Sequence, residues 1–225
     1  MHLNATGKID LTLDHFERSL SISEQLGNKT DIAYSLNRLG TYYNQKEDLA
    51  QALSYYEKNL ELYQELDNKP WISGLLNNIA NIQNAREEYD RALSTYQQCL
   101  EYDRQIGNRE WEAMAYNNIG FVYQLKRELD LALEYMEKTI ELSEELGMKL
   151  LVINQTALIG AIYIEKGDLK AAHDSYSKSL KLSQEAGSEI FTAGQFLNIS
   201  RTYNLKGEPE LALDYIDKSQ KIMDE

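Results

Sequence analysis

The sequence predicts an all-α protein, and three observations support this fold class. Only two prolines occur in 225 residues, so long helices can run without interruption. Apolar residues recur at spacings of three and four, which places them on one face of a helix. The same pattern returns every forty residues without an insertion. Together these features predict an α-solenoid of stacked antiparallel helix pairs.

The repeat is defined by columns that appear when the chain is written in forty-residue blocks starting at Asp31, Trp71, Trp111, Leu151 and Phe191. A small residue recurs in the first helix of each block at Gly40, Ala80, Gly120, Gly160 and Ser200. An alanine recurs in the second helix at Ala52, Ala92, Ala132, Ala172 and Ala212. A bulky residue follows four positions later at Tyr56, Tyr96, Met136, Tyr176 and Ile216. Because glycine is unfavourable in mid-helix, we expect a neighbouring helix to approach the small column closely.

Each block is expected to hold a helix A followed by a helix B. In the second block, helix A is marked by Leu75, Leu76, Ile79 and Ile82, and helix B by Tyr89, Ala92, Leu93, Tyr96 and Leu100. Gly167-Asp168 and Gly207-Glu208-Pro209 are predicted turns between A and B, with Pro209 in a helix first turn. Turns between repeats are predicted at Gly27-Asn28, Asp67-Asn68, Gly107-Asn108 and Gly187-Ser188.

The predicted organisation is one solenoid over residues 1–225. It contains a partial repeat, 1–30, and then the repeats 31–70, 71–110, 111–150, 151–190 and 191–225. Residues 1–8 align with the second half of a helix A, which predicts a fragment of a longer protein. On the last helix B, Leu213, Ile216 and Ile222 are expected to lack the following helix that such residues normally face.

The spacing of Leu39-Gly40, Tyr43, Ala52 and Tyr56 resembles that of the tetratricopeptide repeat (TPR) family, and the resemblance covers essentially the whole chain. The common repeat has about 34 residues, whereas this block is extended through segments such as 61–66 and 141–146. This long variant looks like the repeats of spindle-orientation adaptors, kinesin light chains and bacterial peptide-pheromone receptors. The resemblance implies a right-handed superhelix whose helices A line a concave groove.

The resemblance also implies which side chains line that groove, and carboxamides dominate them. One column reads Arg38, Asn78, Asn118, Leu158 and Asn198; the column before it reads Asn37, Asn77, Asn117, Ala157 and Leu197. A third reads Asn44, Asn84, Gln124, Ile164 and Asn204, with Asn4 in the partial repeat. Phe121 and Arg201 lie in a further inward column. In the long-repeat relatives such asparagines clamp a peptide backbone; the alternative is that they hydrogen-bond neighbouring helices or water.

The groove is expected to change character along the chain. Apolar side chains fall in the inward columns of the third to fifth blocks, at Phe121, Leu125, Leu158, Ala161, Ile164 and Leu205. The first two blocks supply mainly Asn, Thr41, Gln45 and Arg38. A segment with one apolar and one polar stretch would suit this surface, although the apolar residues could instead pack between repeats. A terminal carboxylate ligand is disfavoured, because the inward columns hold Arg38 and Arg201 but no lysine.

Composition excludes several classes of function. The chain has 36 Asp and Glu against 23 Lys and Arg, a net charge of −13, which argues against nucleic acid and anionic membranes as partners. A single cysteine, Cys99, and a start without a signal peptide predict a cytoplasmic protein. His2, His15 and His173 lack metal-ligand spacing, and no phosphate loop or nucleophile elbow occurs. His173 is expected on the exposed side of a helix B, and Cys99 is expected to pack between helices.

These features predict a non-catalytic protein or peptide-binding scaffold with no metal and no cofactor. Two alternatives remain open. The chain could be the ligand- or peptide-sensing module of a larger signalling or transcription regulator, or it could form homodimers through uncapped solenoid ends.

Overall fold

The computed structural model describes residues 10–224, and within that range every regular element is an α-helix. The helices, numbered in chain order, are α1 (Leu11–Leu26), α2 (Lys29–Gln45), α3 (Leu49–Glu65), α4 (Lys69–Ala85), α5 (Tyr89–Ile106), α6 (Arg109–Leu125), α7 (Leu129–Glu145), α8 (Lys149–Glu165), α9 (Leu169–Glu185), α10 (Glu189–Lys206) and α11 (Pro209–Met223). The all-α prediction is confirmed. The expected half helix over residues 1–8, with Asn4, lies outside the described residues.

The chain divides into two compact units, one ending at Asn108 and one beginning at Arg109. Within each unit, every helix packs against the next one in sequence. Even-numbered helices are the predicted helices A, and odd-numbered helices are the predicted helices B. The helix pairs expected from the sequence are therefore present in both units.

Polar side chains cap the N-termini of helices, and residues with a left-handed backbone conformation follow their C-termini. Asn28 accepts hydrogen bonds from the N–H groups of Thr30 and Asp31, and Asp168 accepts one from Ala171 at 2.9 Å. Pro209 occupies the first turn of α11, as predicted. Gly167 and Gly207 have positive φ at the predicted A-to-B turns. The other such turns place Glu47, Glu87 and Arg127 in the same left-handed conformation, a feature that the sequence did not reveal.

The small column is where a helix B approaches a helix A. A Cβ atom added at Gly40 would lie 2.6 Å from the ring of Tyr56, and one at Gly160 would lie 2.8 Å from the ring of Tyr176. Both rings are almost fully buried. The expected close approach is confirmed at these two glycines.

The core of each unit consists of side chains from facing helices. In the first unit, Tyr56, Tyr63, Ile72 and Leu75 belong to one buried cluster. In the second, one buried cluster joins Met136 to Ile162, and another joins Tyr176 to Ile199. Burial of each such side chain contributes about 1.5–3 kcal/mol. Packing fixes one side of every helix A, so the opposite side can carry the predicted groove residues.

Candidate functional site

In the first unit, four predicted groove amides lie on α2 and α4 and make no side-chain hydrogen bond within the described part of the chain. Asn44 is exposed, whereas Asn37, Asn78 and Asn84 are half-buried. The Oδ1 atom of Asn84 is fully buried and accepts no hydrogen bond from the described residues. A buried acceptor without a donor is unfavourable by about 1–3 kcal/mol.

The side chain of Arg38 is fixed by contacts with a residue of its own helix, α2. Its Nε and Nη2 atoms donate to the hydroxyl of Tyr34 at 3.0 and 2.6 Å, and the guanidinium lies 5.0 Å from the centre of that ring. Arg38 remains exposed, so its position is fixed without loss of access to solvent. Asn77 lies half-buried on α4.

In the second unit, three amides form a chain from the core to the surface of α6. Gln155 of α8 is fully buried, and its Nε2 donates to Asn117 Oδ1. Asn117 Nδ2 then donates to Asn118 Oδ1 at 3.0 Å. Asn117 therefore bonds a neighbouring helix, which was the alternative to ligand binding. Asn118, half-buried, accepts from this chain and is held in one orientation.

Sequence reasoning did not include Gln155 or its counterpart Gln195 among the site residues. Gln195 is buried, and its Oε1 accepts a hydrogen bond from Asn198 Nδ2 at 3.0 Å. Both glutamines occupy a column that reads Ser35, Leu75, Ala115, Gln155 and Gln195. The change to a buried amide in the last two repeats was the available signal.

The remaining polar groove residues of the second unit differ in how firmly they are held. Gln124 Nε2 donates to Glu165 Oε1 at 3.3 Å, and Glu165 also forms an ion pair with Arg127 at 2.7 Å. Arg201 and Asn204 of α10 are exposed, and their side chains make no hydrogen bond to the described residues.

The predicted apolar residues of the second unit separate into two groups. Leu158 packs against the cluster of Met136 and Ile162, and Ile164 packs against that of Tyr176 and Ile199. Packing between repeats therefore accounts for Leu158 and Ile164, which are half-buried together with Ala161. Phe121, Leu125 and Leu205 are 44%, 40% and 50% exposed. These three side chains are open to a partner.

The titratable groups of residues 10–224 were compared with the requirements of a metal site. No three His, Cys, Asp or Glu side chains there are placed to hold a metal ion. Burial raises the pKa of the Cys99 thiol to about 12, and this thiol lies beside Ser73 and Asp103 in the core. No helix in this range is long and apolar enough to cross a membrane.

The expectation that His173 is exposed was wrong. The side chain is half-buried, with its ring edge-on to Tyr203 at a centroid distance of 5.2 Å. Burial, followed by the charge of Lys206, lowers its pKa. Tyr203 projects from the next helix A and covers the ring, which a helical periodicity within α9 alone does not indicate.

Comparison with known proteins agrees with this architecture. The family described as "Tetratricopeptide repeat" matches residues 1–65, 71–145 and 111–185, which together make up most of the chain. The chain belongs to the tetratricopeptide repeat family. Proteins of this family generally serve as non-catalytic scaffolds for protein interaction. No curated protein matches this TPR chain by sequence.

Several solved structures share the fold. BtubC from P. vanneervenii is 19% identical, with a TM-score of 0.78 over 94% of this chain and 89% of its own. A signal transduction ATPase with numerous domains and a tetratricopeptide repeat sensor, from Pyrococcus horikoshii, is 17% identical, with a TM-score of 0.79 over 92% of this chain and 32% of its own. Aspartyl phosphate phosphatase F from Bacillus subtilis is 16% identical, with a TM-score of 0.72 over 94% of this chain and 64% of its own. At these identities the likeness concerns the fold alone.

Proposed function

We propose that this TPR chain is a non-catalytic scaffold that binds an extended or helical peptide segment of a partner protein through the carboxamides of its helices A. The observation that carries the proposal is the set of accessible amides of Asn37, Asn44 and Asn78, which form no side-chain hydrogen bond with the described residues. A carboxamide offers two donors and an acceptor, which match the N–H and C=O groups of a peptide backbone. Family membership supports the same function.

The second unit supports the proposal with a different surface. Asn118 and Asn198 are each hydrogen-bonded to another amide, so they present a fixed orientation to a ligand. Exposed apolar side chains, such as Phe121 and Leu205, lie on the same set of helices. A partner stretch bound here would place apolar side chains against these residues and its main chain against the amides. We place this activity in the cytoplasm, where a lone thiol such as Cys99 remains reduced.

The experiment is selection of peptides from a random display library on the intact chain, followed by calorimetric titration of the selected peptides. The N78A/N84A double variant tests the first unit, and the N118A/N198A double variant tests the second. A double variant whose unit contacts the peptide should lose about 1–3 kcal/mol of binding free energy, a factor of about 5 to 150 in Kd.

The matched control is Gln98→Ala, which removes an exposed carboxamide from α5, a helix B. It should leave Kd unchanged, and circular dichroism should show equal helix content in every variant. A selected peptide that binds both double variants as tightly as the control would refute the carboxamide clamp. Failure of the library to yield any saturable binder would refute peptide binding itself.

A second candidate function is a sensing module. It is favoured by the Pyrococcus horikoshii neighbour, in which the tetratricopeptide repeats are described as a sensor. A sensor must change its own conformation when it binds, whereas a scaffold need not. Hydrogen exchange on the complex with a selected peptide separates the two: altered protection in helices that do not contact the peptide favours the sensor, and protection confined to contact residues favours the scaffold.

A further inference from the structure

A pocket opens in the second unit where the C-terminal ends of α7 and α9 meet the first turn of α8. Its volume is about 230 Å³. The buried lining residues Ser143, Val152 and Ile153 form its floor, and Leu182 lies half-buried in its wall. The exposed lining residues Glu144, Gly147, Lys149, Glu185 and Ala186 form its mouth. None of them belongs to the predicted peptide groove.

The equivalent position in the first unit, eighty residues earlier, is filled. Ser143 corresponds to Tyr63, whose ring is almost fully buried and stacks on Trp71 at a centroid distance of 5.2 Å. Leu182 and Ala186 correspond to the larger Tyr102 and Ile106, and Tyr102 packs against the cluster that contains Tyr63. The second unit thus has the same helix arrangement with smaller side chains at these positions. The space that the pocket occupies in the second unit corresponds to the space that the ring of Tyr63 fills in the first unit.

The floor of the pocket carries an unpaired polar atom. Ser143 is fully buried, and its hydroxyl has no hydrogen-bond partner among residues 10–224. At the matching position one repeat later, the Ser183 hydroxyl lies 3.0 Å from that of Thr192. Val152 takes the place of Thr192 beside Ser143, and its apolar side chain can neither donate nor accept a hydrogen bond. A ligand that reaches the floor with a hydroxyl group would satisfy Ser143.

The mouth of the pocket is open and carries more acidic than basic charge. Lys29 and Glu65 form an ion pair at 2.9 Å, and Arg109 and Glu145 form one at 2.6 Å, both across 36 residues. Lys149 and Glu185 have the same spacing, but Lys149 forms no ion pair in the described part of the chain. The lining of the mouth thus holds two carboxylates, of Glu144 and Glu185, and one ammonium group, while Lys181, outside the lining, forms an ion pair with Glu185 at 3.9 Å. This balance favours a neutral or cationic group at the outer end of a ligand.

We infer that this pocket, independently of the peptide groove, binds a phenolic ring with a neutral or cationic para substituent, the ring entering first with its hydroxyl at Ser143. A benzene molecule fits a cavity of about 150 Å³, and this one has about 230 Å³. The volume therefore accommodates the ring and its hydroxyl and leaves the substituent at the mouth. The ring packs between Val152, Ile153 and Leu182.

The test is methyl NMR of the intact chain titrated with tyramine, phenethylamine, which lacks the hydroxyl, and 4-hydroxyphenylacetate, which carries a carboxylate. We expect saturable shifts at the methyl groups of Val152, Ile153 and Leu182 with tyramine, and at least fivefold weaker binding of the other two probes. Shifts that do not saturate, that occur elsewhere, or that are equal for tyramine and phenethylamine would overturn the inference.

Two variants sharpen the result. Ser143→Tyr restores the ring of the first unit and should weaken tyramine binding at least tenfold, whereas Ser94→Tyr, on an exposed position of α5, should leave it unchanged. Val152→Thr copies the Ser183 and Thr192 pair and should reduce the preference for tyramine over phenethylamine, even if Ser143→Tyr does not fold. An unchanged Kd in folded Ser143→Tyr, or an unchanged preference in Val152→Thr, contradicts the proposed site.

The source of the ring is decided by a final comparison. The blocked peptide acetyl-Gly-Tyr-Gly-amide presents the same phenol as a protein side chain. Tighter binding of the peptide than of tyramine identifies a tyrosine of a partner protein, and tighter binding of tyramine identifies a free phenolic amine.

Discussion

Buried polar side chains of this repeat protein differ in whether they are hydrogen-bonded, and this difference affects stability. Asn59 is fully buried, and neither polar atom of its carboxamide has a hydrogen-bond partner in the described part of the chain. In the same column, the hydroxyl of Ser179 donates to the carbonyl of Ile153 at 2.8 Å, and that of Ser219 donates to Ala193 at 3.0 Å. A small hydroxyl reaches the carbonyl of the preceding helix A, and the asparagine amide does not.

Replacing Asn59 with serine should therefore stabilise the protein. The change removes two unpaired amide atoms and supplies a hydroxyl of the length that works at Ser179. We expect the free energy of unfolding in urea to rise by about 1–2 kcal/mol. The converse change at the matching position, Ser179→Asn, should lower it by a similar amount. Destabilisation by Asn59→Ser would show that the amide makes favourable contacts beyond those in the structure.

Glycines of the helices A give a second prediction at this scale. A Cβ at Gly160 would meet the buried ring of Tyr176 at 2.8 Å, whereas one at Gly74 would meet nothing within 4 Å. Gly160→Ala should therefore destabilise by about 1–3 kcal/mol through overpacking. Gly74→Ala, in the interior of α4, should stabilise by about 0.5–1 kcal/mol. Thermal unfolding measures the change in stability of each variant. Stability changes of the same sign in the two variants would contradict the proposed role of the small column.

The stability of a helix depends on the residues at its ends. The N-cap positions of the helices B show the effect of one methylene group on the capping hydrogen bond. The N-cap side chains of Asp48 and Asp168 accept from the backbone N–H three residues later, at 3.1 and 2.9 Å. Glu208 occupies the matching position before α11 and makes no such bond. Glutamate is one methylene longer than aspartate and is not among the preferred N-cap residues.

Glu208→Asp should therefore add a cap to α11. The expected gain is about 0.5–1 kcal/mol in the free energy of unfolding. Asp168→Ala is the reciprocal change, because it removes the N-cap of α9, and it should lower the free energy of unfolding by about 1 kcal/mol. Increased hydrogen exchange at the start of α11 in Glu208→Asp would refute this prediction.

The elements were far easier to predict from the sequence than the site. Apolar spacing and the forty-residue period predicted the helix pairs, because both depend on which residues share a face. They could not reveal that Glu47 adopts a left-handed conformation, because the surrounding turn imposes it on a residue without that preference. The pairing of Gln155 with Asn117 likewise depends on how two helices sit together. Whether Asn78 and Asn118 bind a peptide is still a prediction.

At the scale of the molecule, the net charge of −13 resides largely on solvated helix surfaces. Exposed ion pairs such as Lys29 with Glu65 compensate part of it, but each contributes at most about 1 kcal/mol. The amides and apolar side chains of the helices A are uncharged. Binding at these faces should therefore depend little on salt, in contrast to a partner held by the acidic surface.

The exposed apolar residues of α11 support a prediction about assembly. Leu213 and Ile216 are 60% and 42% exposed, and Met223 is 67% exposed. We expect the chain to form a dimer through this helix at high concentration, because contact would remove these side chains from water. Sedimentation velocity should show a species heavier than 25.9 kDa whose fraction rises with concentration. Leu213→Lys/Ile216→Lys should abolish it, and a wild-type chain that is monomeric at millimolar concentration contradicts the prediction.

The environment of Cys99 has a practical consequence for every one of these measurements. With a thiol pKa of about 12 and a buried position, Cys99 is almost entirely protonated at neutral pH and inaccessible to reagents. A cysteine introduced at Asn44 or at Glu185 would then be the one thiol in the chain that reacts with a maleimide dye. The native protein is thus already a suitable background for single-site fluorescent labelling, with no need to remove its own cysteine first.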